Sequence, residues 1–208
     1  MTAKQQLIQD LINDGYLKTP GLIKAFKKID RQDFVLPEYK KSAYENQALP
    51  ILSGQTISQP ATVAFMLELL EPASGQKILE VGSGCGWQTA MLAQIIGPGG
   101  KIFALEIIQS LIDFAQANLK KYDFSNIIMK YGDGWRGLPE AAPFDRIIVA
   151  AAASEIPRAL KEQLTIGGHL VLPVGEIEQS IVLLERKSHD EFVKTEFPGF
   201  IFVPLVKA

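Results

Sequence analysis

Apolar positions recur at helical spacing in the first part of the chain. Ile8, Leu11 and Ile12 fall on one face of a helix. A second set with this spacing comprises Leu22, Ala25, Phe26 and Ile29. Residues 47–61 have no such period, and three glycine or proline positions interrupt them. We therefore predict an N-terminal helical cap followed by an active-site loop at 47–61, because long irregular segments in compact domains are frequently functional.

Short apolar runs and amphipathic segments alternate from residue 62 onwards. The runs predict strands at 78–81, 102–105, 126–129, 144–149, 170–174, 180–185 and 201–206. Helices are predicted at 88–94, 108–119 and 157–164. This alternation predicts an α/β fold with a doubly wound, mostly parallel seven-stranded sheet. We expect a single domain over residues 1–208, with the cap and active-site loop at 1–61 and the α/β core at 62–208.

Three glycines, Gly82, Gly84 and Gly86, separate the first predicted strand of the core from a helix. Such a turn brings backbone N–H groups and a helix N-terminus against a ligand. A dinucleotide-binding loop needs a third glycine at its sixth position, where this chain has Trp87. An acid, Glu80, precedes the loop. The pattern acid-x-Gly-x-Gly-x-Gly resembles the first motif of the class I S-adenosyl-L-methionine (SAM) methyltransferases.

Three acids follow successive predicted strands at the edge where open α/β sheets bind ligands. Glu80 suits the cationic end of SAM, and the loop amides suit its carboxylate. Glu106 is placed to accept hydrogen bonds from the ribose hydroxyls, and Asp133 from the adenine amino group. Taken singly, Glu106 fits a first-turn helix acid and Asp133 a turn residue. The predicted cofactor-binding residues are Glu80, Gly82, Ser83, Gly84, Gly86, Trp87, Glu106, Asp133 and Gly134.

Composition narrows the partners and the compartment. The chain has 208 residues, 47% of them hydrophobic, and a formal net charge of -2 without a basic run, so we expect no nucleic-acid partner. No apolar stretch approaches the ~20 residues that span a bilayer, so no membrane contact is expected. A polar N-terminus and a single cysteine, Cys85, favour the cytoplasm. His169 and His189 lack neighbours at metal-ligand spacing, so we predict no metal site. We also expect the protein to be a monomer.

The run Gly-Gln-Thr-Ile-Ser-Gln-Pro at 54–60 resembles a signature of the protein-L-isoaspartate (D-aspartate) O-methyltransferase family. Further matching pieces follow in order at 33–35, 43–46, 79–90, 132–134, 144–150, 156–157, 167–168, 172–175 and 202–205. The resemblance covers nearly the whole chain. It implies SAM-dependent methyl transfer to the free carboxylate of L-isoaspartyl residues in damaged proteins, which starts repair through a succinimide.

The resemblance also implies the roles of individual residues. Ser58 sits beside the transferable methyl group and helps to hold the substrate carboxylate. Substrate-binding positions are Thr56, Ile57, Ser58, Gln59, Pro60, Val203 and Pro204. A carboxylate with a pKa of ~4 is already ionised at pH 7, which agrees with a motif that offers hydroxyls and amides but no strong base. The alternative for Ser58 is an N-cap of the helix that begins near Pro60.

Three departures from the family's usual pattern leave other functions open. Trp87 stands where tyrosine is usual, Ala61 where an aromatic residue or histidine is usual, and Leu52-Ser53 where a glycine-containing pair is usual. A methyltransferase of this fold with a different carboxylate or protein acceptor is therefore the alternative. A non-catalytic SAM-binding module and a NAD-dependent oxidoreductase are further hypotheses; Trp87 and the lack of a catalytic His or Tyr–Lys pair oppose the second.

Overall fold

The N-terminal segment of the computed structural model, which describes residues 1–207, is helical as the apolar spacing predicts. Helices α1 (Ala3–Asn13) and α2 (Pro20–Lys28) are followed by 3-10 turns at Arg31–Asp33 and Pro37–Ser42. A capping box starts α1, since the Thr2 hydroxyl accepts from the Gln5 amide while the Gln5 side chain accepts from the Thr2 amide. Pro20 begins α2, where its missing N–H costs nothing.

The 47–61 segment is more ordered than its lack of periodicity predicts. Strands β1 (Leu49–Pro50) and β2 (Thr56–Ile57) pair antiparallel around a 3-10 turn at Leu52–Gly54. Helix α3 (Pro60–Leu70) follows directly. The segment is therefore a small hairpin that leads into a buried helix, and its apolar residues Leu49, Ile51 and Ile57 pack into the core.

Strands and helices then alternate through the core. The strands are β3 (Lys77–Val81), β4 (Lys101–Glu106), β5 (Ile127–Tyr131), β6 (Phe144–Val149), β7 (Leu164–Val174), β8 (Gln179–Arg186) and β9 (Phe192–Phe200). The helices are α4 (Trp87–Ile96), α5 (Gln109–Leu119) and α6 (Arg158–Glu162). The sheet order is β5-β4-β3-β6-β7-β8-β9; the first five strands are parallel and the last two antiparallel. The predicted fold class, a mostly parallel seven-stranded α/β sheet, is confirmed.

Two details at the C-terminal end differ from the prediction. The seventh strand is Phe192–Phe200, whereas the segment 201–206, predicted as a strand, lies outside the sheet. β9 is an edge strand whose exposed centre is the polar run Lys194-Thr195-Glu196, which hides it from a search for apolar runs. The helix predicted through residue 164 ends at Glu162, and Gly168 lies within β7 beside a shift in register.

The core fills both faces of the sheet. Ile78 and Leu79 of β3 are fully buried on opposite faces, as the two-residue period of a strand requires. The N-terminal cap, α3 and α4 cover the Ile78 face, and Leu160 of α6 packs on the Leu79 face. Within residues 1–207, no helix combines the length and apolar character needed to cross a bilayer. Packing on both faces of the sheet fixes the positions of the strand ends that form the site.

Candidate functional site

One cavity opens at the carboxyl ends of β3, β4, β5 and β6. We call one side the strand-end wall; it comprises the lining residues Val81, Gly82, Ser83, Gly84, Cys85, Trp87, Gln88, Leu105, Glu106, Ile107, Ile108, Leu111, Gly132, Gly134, Ala150 and Ala151. We call the other side the loop wall; it comprises Gln55, Thr56, Ile57, Ser58, Val203, Pro204, Leu205 and Val206. The cavity therefore brings together the glycine loop and the 54–60 run, which are separate in sequence.

The glycine loop shapes the strand-end wall by close packing. Gly82 and Gly84 line the cavity, both with positive φ. Gly86 does not line it, although it was predicted to bind cofactor. A Cβ on Gly86 would lie 3.2 Å from the Ala115 Cβ, and its φ is +87°, so glycine here lets α5 approach the start of α4. Gly86 thus supports the loop from behind.

Most loop amides are already bonded within the protein. The amides of Gly82 and Ser83 donate to the Leu105 carbonyl at 2.9 and 3.1 Å. The Gly84 amide donates to Oε2 of Glu106 at 3.0 Å. The prediction that these amides receive a ligand carboxylate is therefore not supported. Two buried side-chain atoms on the same wall have no partner, the Ser83 hydroxyl and the Trp87 indole nitrogen.

Glu106 is held at the centre of the strand-end wall. Its Oε1 accepts from the amides of Ile107 (2.9 Å) and Ile108 (3.1 Å), and its Oε2 accepts from Gly84. The side chain is only 6% exposed, yet it lines the cavity. Three N–H donors therefore fix the carboxylate, and the remaining lone pairs of its two oxygens are available to ligand hydroxyls.

Glu80 lies beneath the wall, outside the cavity lining. Its carboxyl is fully buried and accepts from Thr89 Oγ1 (2.6 Å) and Gln88 Nε2 (3.0 Å). Burial raises the pKa of Glu80, the two hydrogen bonds oppose this, and nearby Glu106 adds to the rise, so that the resulting pKa is about 7. The side chain points toward α4 because Glu80 shares a strand face with Ile78. The structure thus connects Glu80 to the cavity through Gln88, which does line it.

In the turn after β5, two neighbouring residues differ in their position relative to the cavity. Gly134 lines the cavity, where a Cβ would meet Val81 Cγ1 at 2.3 Å. Asp133 does not line it; its Oδ1 accepts from the Trp135 amide at 2.9 Å, and its Oδ2 lies 3.9 Å from Arg136 Nε. The structure therefore places Asp133, which was predicted to bind adenine, outside the cavity lining, and the backbone of Gly134 within it.

The loop wall carries the predicted substrate positions. Thr56, Ile57 and Ser58 line the cavity, whereas Gln59 and Pro60 lie outside the lining. Ser58 is half-buried and does not cap α3, because the N-cap residue is Gln59, whose side chain accepts from no backbone N–H of the helix. The Ala61 amide donates instead to Asn46 Oδ1 at 3.0 Å. Ser58 thus lines the cavity without capping the helix.

A second strip of the loop wall comes from the C-terminal strap, which we define as residues 201–206. Val203 and Pro204 line the cavity, as predicted for substrate positions. The Val203 carbonyl accepts from the Ala152 amide at 2.8 Å, and the Leu205 amide donates to the Ala152 carbonyl at 2.7 Å. Trp135 Nε1 donates to the Leu205 carbonyl at 3.0 Å. These bonds hold the strap across the strand ends.

Several lining residues were not predicted from the sequence. Ile107, Ile108, Ala150 and Ala151 follow the carboxyl ends of β4 and β6, and their position directly after apolar strands is the signal that identifies them. Cys85 also lines the cavity, but burial raises its pKa to about 12, so its thiol stays protonated. Ala61 is buried outside the lining, so the departure there does not widen this cavity.

Comparison with known proteins identifies the family. The model of the protein-L-isoaspartate(D-aspartate) O-methyltransferase family matches residues 2–208. This chain belongs to that family. Two protein-L-isoaspartate O-methyltransferases illustrate the relation. The one from Methanothermobacter thermautotrophicus is 40% identical over 99% of this chain and 96% of its own. The one from Flavobacterium psychrophilum is 44% identical over 98% and 94%.

Solved structures show the same fold in this family. A protein-L-isoaspartate O-methyltransferase structure is 26% identical with a TM-score of 0.86, and the match covers 97% of this chain and 65% of that one. The fold is also that of a structure from Plasmodium falciparum described as a putative protein-L-isoaspartate O-methyltransferase in complex with S-adenosyl-L-homocysteine, with a TM-score of 0.90, 24% identity and full coverage of both chains. The family predicted from residues 54–60 is confirmed.

Proposed function

We propose that this enzyme transfers the methyl group of SAM to the free carboxylate of L-isoaspartyl residues in damaged proteins. The observation that carries the proposal is the position of Ser58, in the 54–60 run, across one cavity from the glycine loop. Full-length identity of about 40% to named protein-L-isoaspartate O-methyltransferases supports the same reaction. The P. falciparum protein of this fold binds S-adenosyl-L-homocysteine, the demethylated form of the proposed donor.

The strand-end wall fits SAM. Two buried groups on this wall, the Ser83 hydroxyl and the Trp87 indole N–H, have no hydrogen-bond partner within residues 1–207. Because buried polar groups are normally bonded, we expect them to bond to a polar ligand. We assign SAM binding to the lining residues Gly82, Ser83, Gly84, Trp87, Glu106 and Gly134. Glu80, Gly86 and Asp133 act behind them, through α4, α5 and the turn after β5. When bound, SAM supplies a methyl group activated by its sulfonium.

The loop wall is suited to an acceptor that needs no base. Among the lining residues described here, Glu106 and Cys85 are the titratable ones, and neither lies on the loop wall. An isoaspartyl carboxylate is ionised at pH 7 and already nucleophilic, so the protein's task is to orient it and exclude water. We assign the orienting role to the Ser58 hydroxyl, with Thr56, Ile57, Val203 and Pro204 contacting the peptide. Gln59 and Pro60 fix the chain that carries Ser58.

The fate of the product and the organisation of the chain complete the proposal. The methyl ester collapses to a succinimide without the enzyme, and hydrolysis returns part of it to normal aspartate. Residues 1–208 act as one methyltransferase domain, with cap and active-site loop at 1–61 and the SAM-binding core at 62–208. The monomeric state and the cytoplasmic location stay predictions. Among residues 1–207, no cluster of three potential ligands could hold a metal ion.

A pair of peptides tests the proposed acceptor. The protein is incubated with SAM labelled on its methyl group and with an isoaspartyl peptide or its normal aspartyl twin of the same sequence. We expect base-labile label on the isoaspartyl peptide alone, because the normal aspartyl side chain presents its carboxylate on a differently placed backbone. Equal transfer to both peptides, or none to either while calorimetry shows SAM binding, would contradict the proposal and favour another acceptor.

A further inference from the structure

A buried arginine lies directly behind the loop wall. Arg31 is 2% exposed, and no carboxylate of residues 1–207 forms an ion pair with it. Its guanidinium instead donates to four backbone carbonyls, those of Ala43 (2.8 Å), Glu45 (3.4 Å), Gln47 (2.9 Å) and Ser58 (3.0 Å). One side chain therefore bonds to both ends of the active-site loop.

Burial of the Arg31 cation without an ion-pair partner costs free energy, and only groups close to the guanidinium offset that cost. Desolvation lowers the pKa of Arg31 to about 10, which still leaves it protonated at pH 7. Its guanidinium carbon lies 5.2 Å from the centre of the Trp87 ring, within cation–π range. Trp87 in turn lines the strand-end wall. Arg31 thus joins the loop wall to the strand-end wall.

Asn46 completes the connection. It stands between the two carbonyls of Glu45 and Gln47 that Arg31 holds. Its side chain accepts from the Ala61 amide, and its carbonyl accepts from Gln59 Nε2 at 3.0 Å. Two residues that follow Ser58, Gln59 and Ala61, are thereby tied to one turn, and that turn is fixed by the guanidinium.

We propose that Arg31 is the positioning residue of the active site: its planar fork of N–H donors fixes the Ser58 backbone, and so the Ser58 hydroxyl, opposite the methyl donor. The role requires the fork rather than the charge, because two guanidinium nitrogens share the four carbonyls, whereas a lysine ammonium is a single nitrogen with three N–H donors. The inference rests on the proposed function for its catalytic consequence and on the hydrogen bonds alone for its structural one.

Replacement of Arg31 by lysine separates the fork from the charge. With R31K we expect kcat for the isoaspartyl peptide to fall about tenfold or more, because Ser58 loses its anchor. The dissociation constant for SAM, measured by calorimetry, should stay within about twofold, since lysine keeps a cation near Trp87. The matched control is R158K, at a side chain 88% exposed on α6, which should leave kcat, KM and SAM affinity unchanged.

Hydrogen exchange gives a readout that does not depend on turnover. Peptides covering residues 43–58 should exchange faster in R31K than in the wild type, while peptides covering β3 and α4 should not. This arm decides the inference even if the wild-type protein methylates no isoaspartyl peptide, a result that would sink the proposed function instead. Unchanged exchange over 43–58 would overturn the inference.

Two further outcomes count against Arg31 as a positioning residue. The first is an R31K kcat within about twofold of the wild type. The second is a parallel loss of kcat, SAM affinity and thermal stability, which is the mark of a purely structural role. If R31K does not fold, N46A replaces it, because Asn46 is exposed and outside the cavity lining. For N46A we expect a lower kcat with SAM affinity kept; full activity would overturn the inference.

Discussion

The strand-end wall and the loop wall face each other across one cavity, but different contacts hold them. The strand-end wall follows from sheet register: Glu106 ends β4, and Gly82 follows β3, its parallel neighbour. The loop wall depends on single side chains that reach across the chain, such as Arg31 to Ser58 and Trp135 to the strap. A binding surface built on strands is rigid, whereas one held by a few side chains can be altered separately. Donor binding and acceptor orientation should therefore be separable by mutation.

The largest expected effect tests the foundation of the strand-end wall. Glu80 has a folded pKa of about 7 against an ordinary value of 4.5, so between these values the folded state holds a proton that the unfolded chain releases. The contribution of Glu80 to stability should therefore fall as the pH rises from 4.5 to 7 and be constant above. Urea unfolding should show that the free energy of unfolding of the wild type falls by on the order of 3 kcal/mol relative to that of Glu80→Gln over this window.

Glu191→Gln, at an exposed position beyond the site, is the control for that measurement. Its difference from the wild type at each pH is the baseline against which the Glu80→Gln difference is read. A Glu80→Gln difference that does not change with pH would mean that Glu80 is ionised in the folded protein throughout, held by the Thr89 and Gln88 hydrogen bonds.

The next effect separates the two walls by donor affinity. Glu106→Gln should raise the SAM dissociation constant about 100-fold, because the amide group turns donors toward the N–H groups of Gly84 or Ile107 and loses charge-assisted bonding. Calorimetry measures the constant, again with Glu191→Gln as the matched control. A change below about threefold would show that Glu106 shapes the loop without contributing to affinity.

The smallest expected effect concerns the loop wall. Ser58→Ala should lower kcat about tenfold, the cost of one orienting hydrogen bond, with SAM affinity within about twofold. Steady-state assays on the isoaspartyl peptide measure kcat, and calorimetry measures affinity. Ser188→Ala, on the exposed turn between β8 and β9, should change neither. If Ser58→Ala weakens SAM binding as strongly as Glu106→Gln does, the two walls are not separable.

The same division explains what the sequence alone could predict. Glu106 and Gly134, both predicted to bind cofactor, line the cavity because Glu106 ends β4 and Gly134 lies in the turn after β5, and parallel strands bring these ends together. Glu80 lies below the cavity because the alternation of β3 directs it to the α4 face. That alternation is visible in the sequence, so the orientation was accessible to prediction.

Arg31 and Asn46 had no such local signal. Their contacts join residues 12 to 27 positions apart, and the acceptors of Arg31 are backbone carbonyls that any residue offers. The strap was predicted as a strand because its apolar residues resemble one; they cover the cavity instead. Side-chain bonds to distant backbone therefore set the limit of prediction for the loop wall.

Strand β9 affects whether other polypeptide chains can associate with this enzyme. Its outer edge is one of the two unpaired margins of the sheet, where an extended polypeptide could add a strand. Lys194 and Glu196 form an ion pair on this strand, and Pro198 lacks an amide hydrogen. Charged side chains and proline on an edge strand disfavour the addition of a further strand, so β9 is protected against edge-to-edge association with other chains.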